Sequence, residues 1–235
     1  MWPLKWEQTK GVNRWIFRIF WPAFLATVIF FVLRSIYLGS MALFQTYYDS
    51  GSVFLVLDRI SYAVTYPLLG SILFHYLPGG KVQWFLISRR NGFSSFYPAF
   101  YLGLTTGLLS FFCVWILHPG EASISSPEPH YKTTGHAMLF YGASILLTPI
   151  MEEFFYRGLF QEYLERQCPV ALSLFLPAFC FGLAHISLQN PVVFPLLTLV
   201  GFLFGVLYWR CGLGSSILAH GVYNLAILLS ANFAS

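Results

Sequence analysis

The stretch Ile150-Met151-Glu152-Glu153-Phe154-Phe155-Tyr156-Arg157-Gly158 decides what kind of chain this is. Two adjacent carboxylates and a guanidinium interrupt an otherwise greasy helical run. A charge held at the centre of a bilayer costs about 2.5–3.5 kcal/mol on insertion scales. A chain keeps such groups where they pair, line a wet cavity or do chemistry.

The surroundings of this stretch fix the class. Of 235 residues, 57% are apolar, 20% aromatic and only 9% charged. A soluble domain carries about 25% charged residues. Too few charges remain to cover a water-facing surface, so lipid must solvate the chain. The formal net charge of +4 comes from scattered Lys and Arg. They form no basic stripe, so nucleic acid is not expected as a partner. Lys5, Lys10, Arg14 and Arg18 read instead as a cytoplasmic anchor for a first span. No small-residue cleavage site follows that span, which argues against a removable signal peptide. Cys113, Cys168, Cys180 and Cys211 are dispersed without a CxxC, so neither a disulfide framework nor a zinc knuckle is indicated.

A span needs about 20 apolar residues. The sequence holds about seven such runs by that criterion, near residues 15–33, 53–77, 98–117, 138–163, 170–188, 192–209 and 213–230. Loop charges test the count. Lys5, Lys10, Arg14, Lys81, Arg89, Arg90, Arg166 and Arg210 fall on one side. Arg34, Lys132, Asp49, Glu121 and Glu128 fall on the other. That asymmetry predicts a cytoplasmic N-terminus and a multi-pass protein of the cell (inner) membrane. The Ser-, Pro- and Glu-bearing stretch from Pro119 to Thr134 reads as a solvated loop dividing the chain. The expected fold is therefore all-α, a polytopic transmembrane helical bundle. Residues 1–135 would form a membrane scaffold of three spans and the polar loop. Residues 136–235 would form a four-helix catalytic core, because nearly all the polar residues at membrane depth lie there.

Four patterns follow one another in that core. They are EExxxRG at Glu152, Glu153, Arg157 and Gly158; FxxxH at Phe181 and His185; GxxxG at Gly201 and Gly205; and HxxxN at His220 and Asn224. Residues four apart share a helical face. Glu153 can therefore reach Arg157, and Glu152, about 100° away around the helix, is left free of that partner. Phe181 should lie one turn from His185 on one face, and His220 should project beside Asn224. A carboxylate in a low-dielectric site is a usable base for water. His and Asn side chains are donors suited to a carbonyl oxygen as it turns negative. That set describes peptide hydrolysis without a covalent intermediate, and no GxSxG nucleophile elbow competes with it.

The order EExxxR, FxxxH, HxxxN on successive hydrophobic helices resembles the CPBP family of intramembrane proteases. This family groups type II CAAX prenyl endopeptidases with bacteriocin-processing and self-immunity proteins. The likeness runs from about Met138 to Asn232 and leaves the first three spans unmatched. It implies Glu152 as the general base, with Glu153 and Arg157 in support. It implies His185 as the group that positions or polarises water, and His220 with Asn224 as an oxyanion clamp. Phe181 is packing, or a residue beside the substrate. The implied partners are a peptide or protein substrate, lipidated or membrane-anchored, and membrane lipids.

No cofactor or metal is expected. A Glu/His/His zinc site is the alternative, disfavoured because HExxH is absent and Asn224 suits hydrogen bonding better than ligation. Two rival functions remain in view. One is a non-catalytic immunity or peptide-binding protein of the same family. The other is a proton-relaying transporter, for which an inverted repeat would be needed and none is visible. Gly201 and Gly205 read as a close-packing face, and Glu153–Arg157 could equally be a purely structural ion pair.

Overall fold

The computed structural model describes residues 96–117, 134–185 and 192–234. The first two expected spans and the polar loop lie outside them. Among the described residues everything regular is helical and no strand occurs. We number the helices α1 (Phe96–Leu117), α2 (134–165), α3 (Val170–Ala184), α4 (Val193–Cys211) and α5 (Leu213–Ala234). Four are long and apolar enough to cross a membrane: Phe96–Leu117, Met138–Glu165, Val193–Cys211 and Leu213–Ser230. The exception is α3. The expected run over residues 170–188 is helical only to Ala184. At 1.5 Å per residue it is about 22 Å long, short of a hydrocarbon core of about 30 Å.

Helix α1 is built inside out relative to a soluble helix. Its buried stripe is Ala99, Gly103, Thr106, Gly107, Ser110, Phe111 and Val114. Tyr97, Tyr101, Leu109 and Ile116 face outward. In lipid the outward face gains nothing from being polar, and small residues let backbones approach. Here they admit α5. A Cβ on Gly107 would come within 2.7 Å of the Ala226 Cβ and 3.0 Å of the Tyr223 carbonyl oxygen. Thus α1, counted with the scaffold from sequence, lies along α5. On the other side α5 meets α4 and α2, and α3 pairs with α4.

The α4–α5 connection is a single residue. Gly212 takes φ 90°, a left-handed conformation that side chains disfavour, and its N–H donates to the Tyr208 carbonyl at 2.8 Å.

Helix α2 is continuous but not uniform. α-Helical segments Thr148–Glu153 and Glu162–Glu165 alternate with wider π-helical turns at Ala143–Leu147 and Phe154–Gln161. π-Turns displace the helical register by a residue and often accompany functional positions. The first has an identifiable chemical neighbour. Thr148 N–H donates to Ala143 O, the five-residue step of a π-turn. The next step would join residue 149 to Ser144 O, but Pro149 has no N–H. The Ser144 carbonyl is thereby left for a partner from another helix.

Candidate active site

That partner is Asn224. Its Nδ2 donates to Ser144 O at 2.8 Å, so α5 repairs the break that proline opens in α2. The expected donor thus has one amide hydrogen engaged in joining two helices. Gly221 makes the approach possible, since a Cβ there would stand 2.9 Å from the Ile145 carbonyl oxygen. Four residues earlier on α5, His220 meets the two glutamates of α2. The pairs His220 with Glu152 and Asn224 with Ser144 fix α5 antiparallel to α2 along this seam.

Glu153 is fully enclosed and fully engaged. Arg157 Nη1 and His220 Nδ1 each lie 2.9 Å from its Oε1. The Ser216 hydroxyl, also on α5, donates to its Oε2. Arg157 in turn donates from Nη2 to the Gly201 carbonyl at 2.7 Å. Its guanidinium carbon lies 5.2 Å from the Phe181 ring centre, 5.8 Å from Tyr156 and 5.9 Å from Phe204. One turn on, Gln161 Nε2 donates to the Gly205 carbonyl at 3.1 Å and to Glu165 at 3.0 Å. Gly201 and Gly205 are therefore more than a contact face. Their carbonyls are rungs on which two long polar side chains of α2 are held. Two members of this network, Ser216 and Gln161, were not singled out from sequence. Each sits four residues from a motif residue, Ser216 before His220 and Gln161 after Arg157, and that periodicity was the available signal.

Glu152 is equally buried, at 1% exposure, but neither carboxylate oxygen has a hydrogen-bond partner among the described residues. Two imidazoles face it across gaps. His220 Nε2 is 3.7 Å from Oε2, and His185 Nε2 is 3.9 Å from Oε1. The other nitrogen of each ring settles what these Nε2 atoms are. His220 Nδ1 contacts an acceptor-only carboxylate, and His185 Nδ1 lies 2.8 Å from the Phe181 carbonyl oxygen. Both Nδ1 atoms must donate, so in the neutral rings both Nε2 atoms turn lone pairs toward Glu152.

His185 does not continue a helical face beyond Phe181, as the FxxxH spacing suggested. Helix α3 ends at Ala184, and His185 follows with φ −108° and ψ 11°. The cause is local. The imidazole turns back to satisfy a last-turn carbonyl that the helix leaves open. The turn still brings the rings of Phe181 and His185 to 4.6 Å. Phe181 is buried, and its ring contacts Arg157, His185 and, at 5.7 Å, His220. It acts as the wall between the ion pair and the gap.

Glu162 and Arg166 form the expected exposed i,i+4 pair at 3.0 Å, and Tyr208 adds a hydrogen bond to Glu162 at 2.9 Å. His75, His118 and His130 lie outside the described residues. Among the described residues no group of three or more His, Cys, Asp or Glu side chains could hold a metal ion.

The arrangement can do one thing chemically that a closed ion-pair network cannot. It sets a buried carboxylate, without a hydrogen-bond partner among the described residues, opposite two imidazole nitrogens inside a helical bundle. Residues 134–226, which carry every residue named above for that space, match the family model described as Rce1-like: type II CAAX prenyl endopeptidase Rce1-like. Neither a curated protein nor a solved structure matches the chain.

Proposed function

We propose, from the premise that residues 134–226 are an Rce1-like type II CAAX prenyl endopeptidase domain, that this chain is an intramembrane endopeptidase using Glu152 to activate water. The observation that carries the reading is Glu152 itself, buried and without a hydrogen-bond partner among the described residues, with two imidazole nitrogens at 3.7 and 3.9 Å. Gaps of that size between polar atoms are ones a water molecule can bridge.

In this reading Glu152 removes a proton from the water as its oxygen bonds to the scissile carbonyl carbon. His185, fixed by the Phe181 carbonyl, accepts a hydrogen bond from the same water and orients it. Glu152 passes that proton to His220 Nε2, which then donates toward the oxyanion. Asn224 contributes its second amide hydrogen. Collapse of the tetrahedral intermediate breaks the C–N bond, and the proton held at His220 leaves with the amine. Glu153 and Arg157 act through His220 and are positioning residues. The substrate is a peptide segment of a membrane-associated protein. The family description directs the first search to chains ending in a prenylated CAAX sequence.

The test compares peptide termini in membranes carrying the wild-type chain and Glu152→Gln. New termini should appear only with the wild type, both from added farnesylated CAAX peptides and from resident membrane proteins. Identical termini in the two membranes would overturn the protease reading. Cleavage that is lost on chelation and restored by zinc would replace it with a metal-dependent version. A biological role that survives Glu152→Gln would point to peptide binding instead.

A further inference from the structure

Resting on that reading, we infer that Thr148 is a further hydrogen-bond donor of the site, its hydroxyl bonding the carbonyl oxygen of the scissile bond as that oxygen turns negative.

The starting point is how hydroxyls behave in the rest of the described bundle. Inside lipid a Ser or Thr hydroxyl ordinarily donates to the carbonyl three or four residues earlier in its own helix. Thr105, Thr106, Ser173 and Thr198 all do so, and Ser215 bonds the Cys211 carbonyl four residues back across the α4–α5 junction. Ser216 donates to Glu153, and Ser110 lies beside the Tyr223 hydroxyl. The hydroxyls of Ser110, Ser144 and Thr148 depart from this pattern, each buried without a partner among the described residues, and of the three Thr148 is the one a single turn from Glu152. It is 3% exposed and its Oγ1 has no partner among the described residues. The carbonyl four residues back belongs to Ser144, at the π-turn, where it accepts from Asn224 Nδ2 at 2.8 Å. The Thr148 hydroxyl makes no bond to it.

Its location follows from the seam between α2 and α5. Glu152 faces His220 on one side of it and Ser144 faces Asn224 on the other. Thr148 lies on α2 midway between Ser144 and Glu152, four residues from each. It therefore stands at the level between His220 and Asn224, the two groups placed around the oxyanion.

The chemistry of the gap gives the hydroxyl work to do. Both oxygens of Glu152 are acceptors. So are the Nε2 atoms of neutral His185 and His220, because each Nδ1–H is engaged elsewhere. An oxyanion needs donors, and before His220 gains a proton the described residues of the seam offer one free hydrogen of Asn224 and the unpartnered hydroxyls of Ser144 and Thr148, of which Thr148 is a single turn from Glu152. A donor of this kind contributes roughly 10²–10³ in rate when removed from a preorganised oxyanion site.

The test uses the full chain in nanodiscs and a quenched fluorescent peptide bearing the Glu152-dependent cleavage sequence. Thr148→Val keeps the shape and loses the hydroxyl; Thr148→Ser keeps the hydroxyl. Thr148→Val should lower kcat by roughly 10²-fold or more with KM and thermal midpoint little changed, and Thr148→Ser should recover most of the rate. Wild-type kcat in Thr148→Val would overturn the inference while leaving Glu152 as the base. Equal losses in Thr148→Val and Thr148→Ser, or a loss confined to KM, would make the residue structural and overturn it too. If Glu152→Gln cleaves as fast as wild type, the protease reading falls first and this inference falls with it.

Discussion

Glu152 and Glu153 share a peptide bond and almost no other circumstance. Around Glu153 both carboxylate oxygens are matched by Arg157, His220 and Ser216, and the guanidinium is itself held by a carbonyl and enclosed by rings. Around Glu152 the same low-dielectric interior offers two lone pairs at a distance and, one turn earlier in the helix, a hydroxyl without a partner among the described residues. The first environment is what a buried charge needs in order to be tolerated. The second is what a group needs in order to remain reactive. One turn of helix suffices to separate them because adjacent residues point about 100° apart. A fold can thus anchor a site and leave it unsatisfied with consecutive residues of one helix.

Substitutions should divide along the same line, and the largest effect belongs to the open side. Glu152→Gln should lower cleavage by about 10²–10⁴-fold, the loss of a general base, with the thermal midpoint in detergent unchanged or slightly raised. A parallel loss of folding would dissolve the distinction between the two carboxylates. On the closed side Arg157→Met should cost about 3–5 kcal/mol of stability, because it strands Glu153 in the interior. Unfolding in graded detergent denaturant measures it, and a cost below about 1 kcal/mol, the worth of an exposed pair, would mean that water reaches Glu153.

Gln161→Leu comes next. It removes the bonds to Gly205 and Glu165 but strands no charge, so about 1–2 kcal/mol should be lost, with cleavage at full rate in the protein that remains folded. A large fall in kcat there would extend the open side further along α2 than the contacts indicate. The smallest effect lies past the end of α2. Burial first, and then Glu165, push the Cys168 thiol up to about 11, and its Sγ lies 3.1 Å from the Leu164 carbonyl. Cys168 should resist iodoacetamide at pH 7 and react as pH approaches that value, because the thiolate is the nucleophile. Mass spectrometry of the labelled peptide reads the outcome, and rapid labelling at neutral pH would show this end of the closed side to be open.

Much of this division is written in the chain. The i,i+4 spacing of Glu153 and Arg157 predicts their ion pair, and Glu152 is left over by the same geometry. Apolar length gives helices at residues 98–117, 138–163, 192–209 and 213–230, each lengthened in the structure by a few residues or shifted by one or two. His185 is less legible, because a helix end depends on which group caps it and the FxxxH spacing reads the same whether or not the helix continues. Gln161 and Ser216 were passed over because a single Gln or Ser in an apolar helix ordinarily signals nothing. Their significance depends on a carbonyl or carboxylate from a different helix.

What the sequence determined by itself is the solvent, the helices and the identity of the charged residues. These follow from composition and from periodicities internal to one segment. Which of two neighbouring glutamates would be satisfied was decided by tertiary structure. Satisfaction requires donors from α5 and, from α4, a carbonyl that holds Arg157, brought within 3 Å only when those helices dock. The seam between α2 and α5 was decided there too. Pro149 opens the Ser144 carbonyl locally, but the donor that meets it is Asn224, 80 residues away. A hydrogen bond ends within about 3.5 Å, and no pattern along one strand of sequence specifies which distant atom will lie inside that radius.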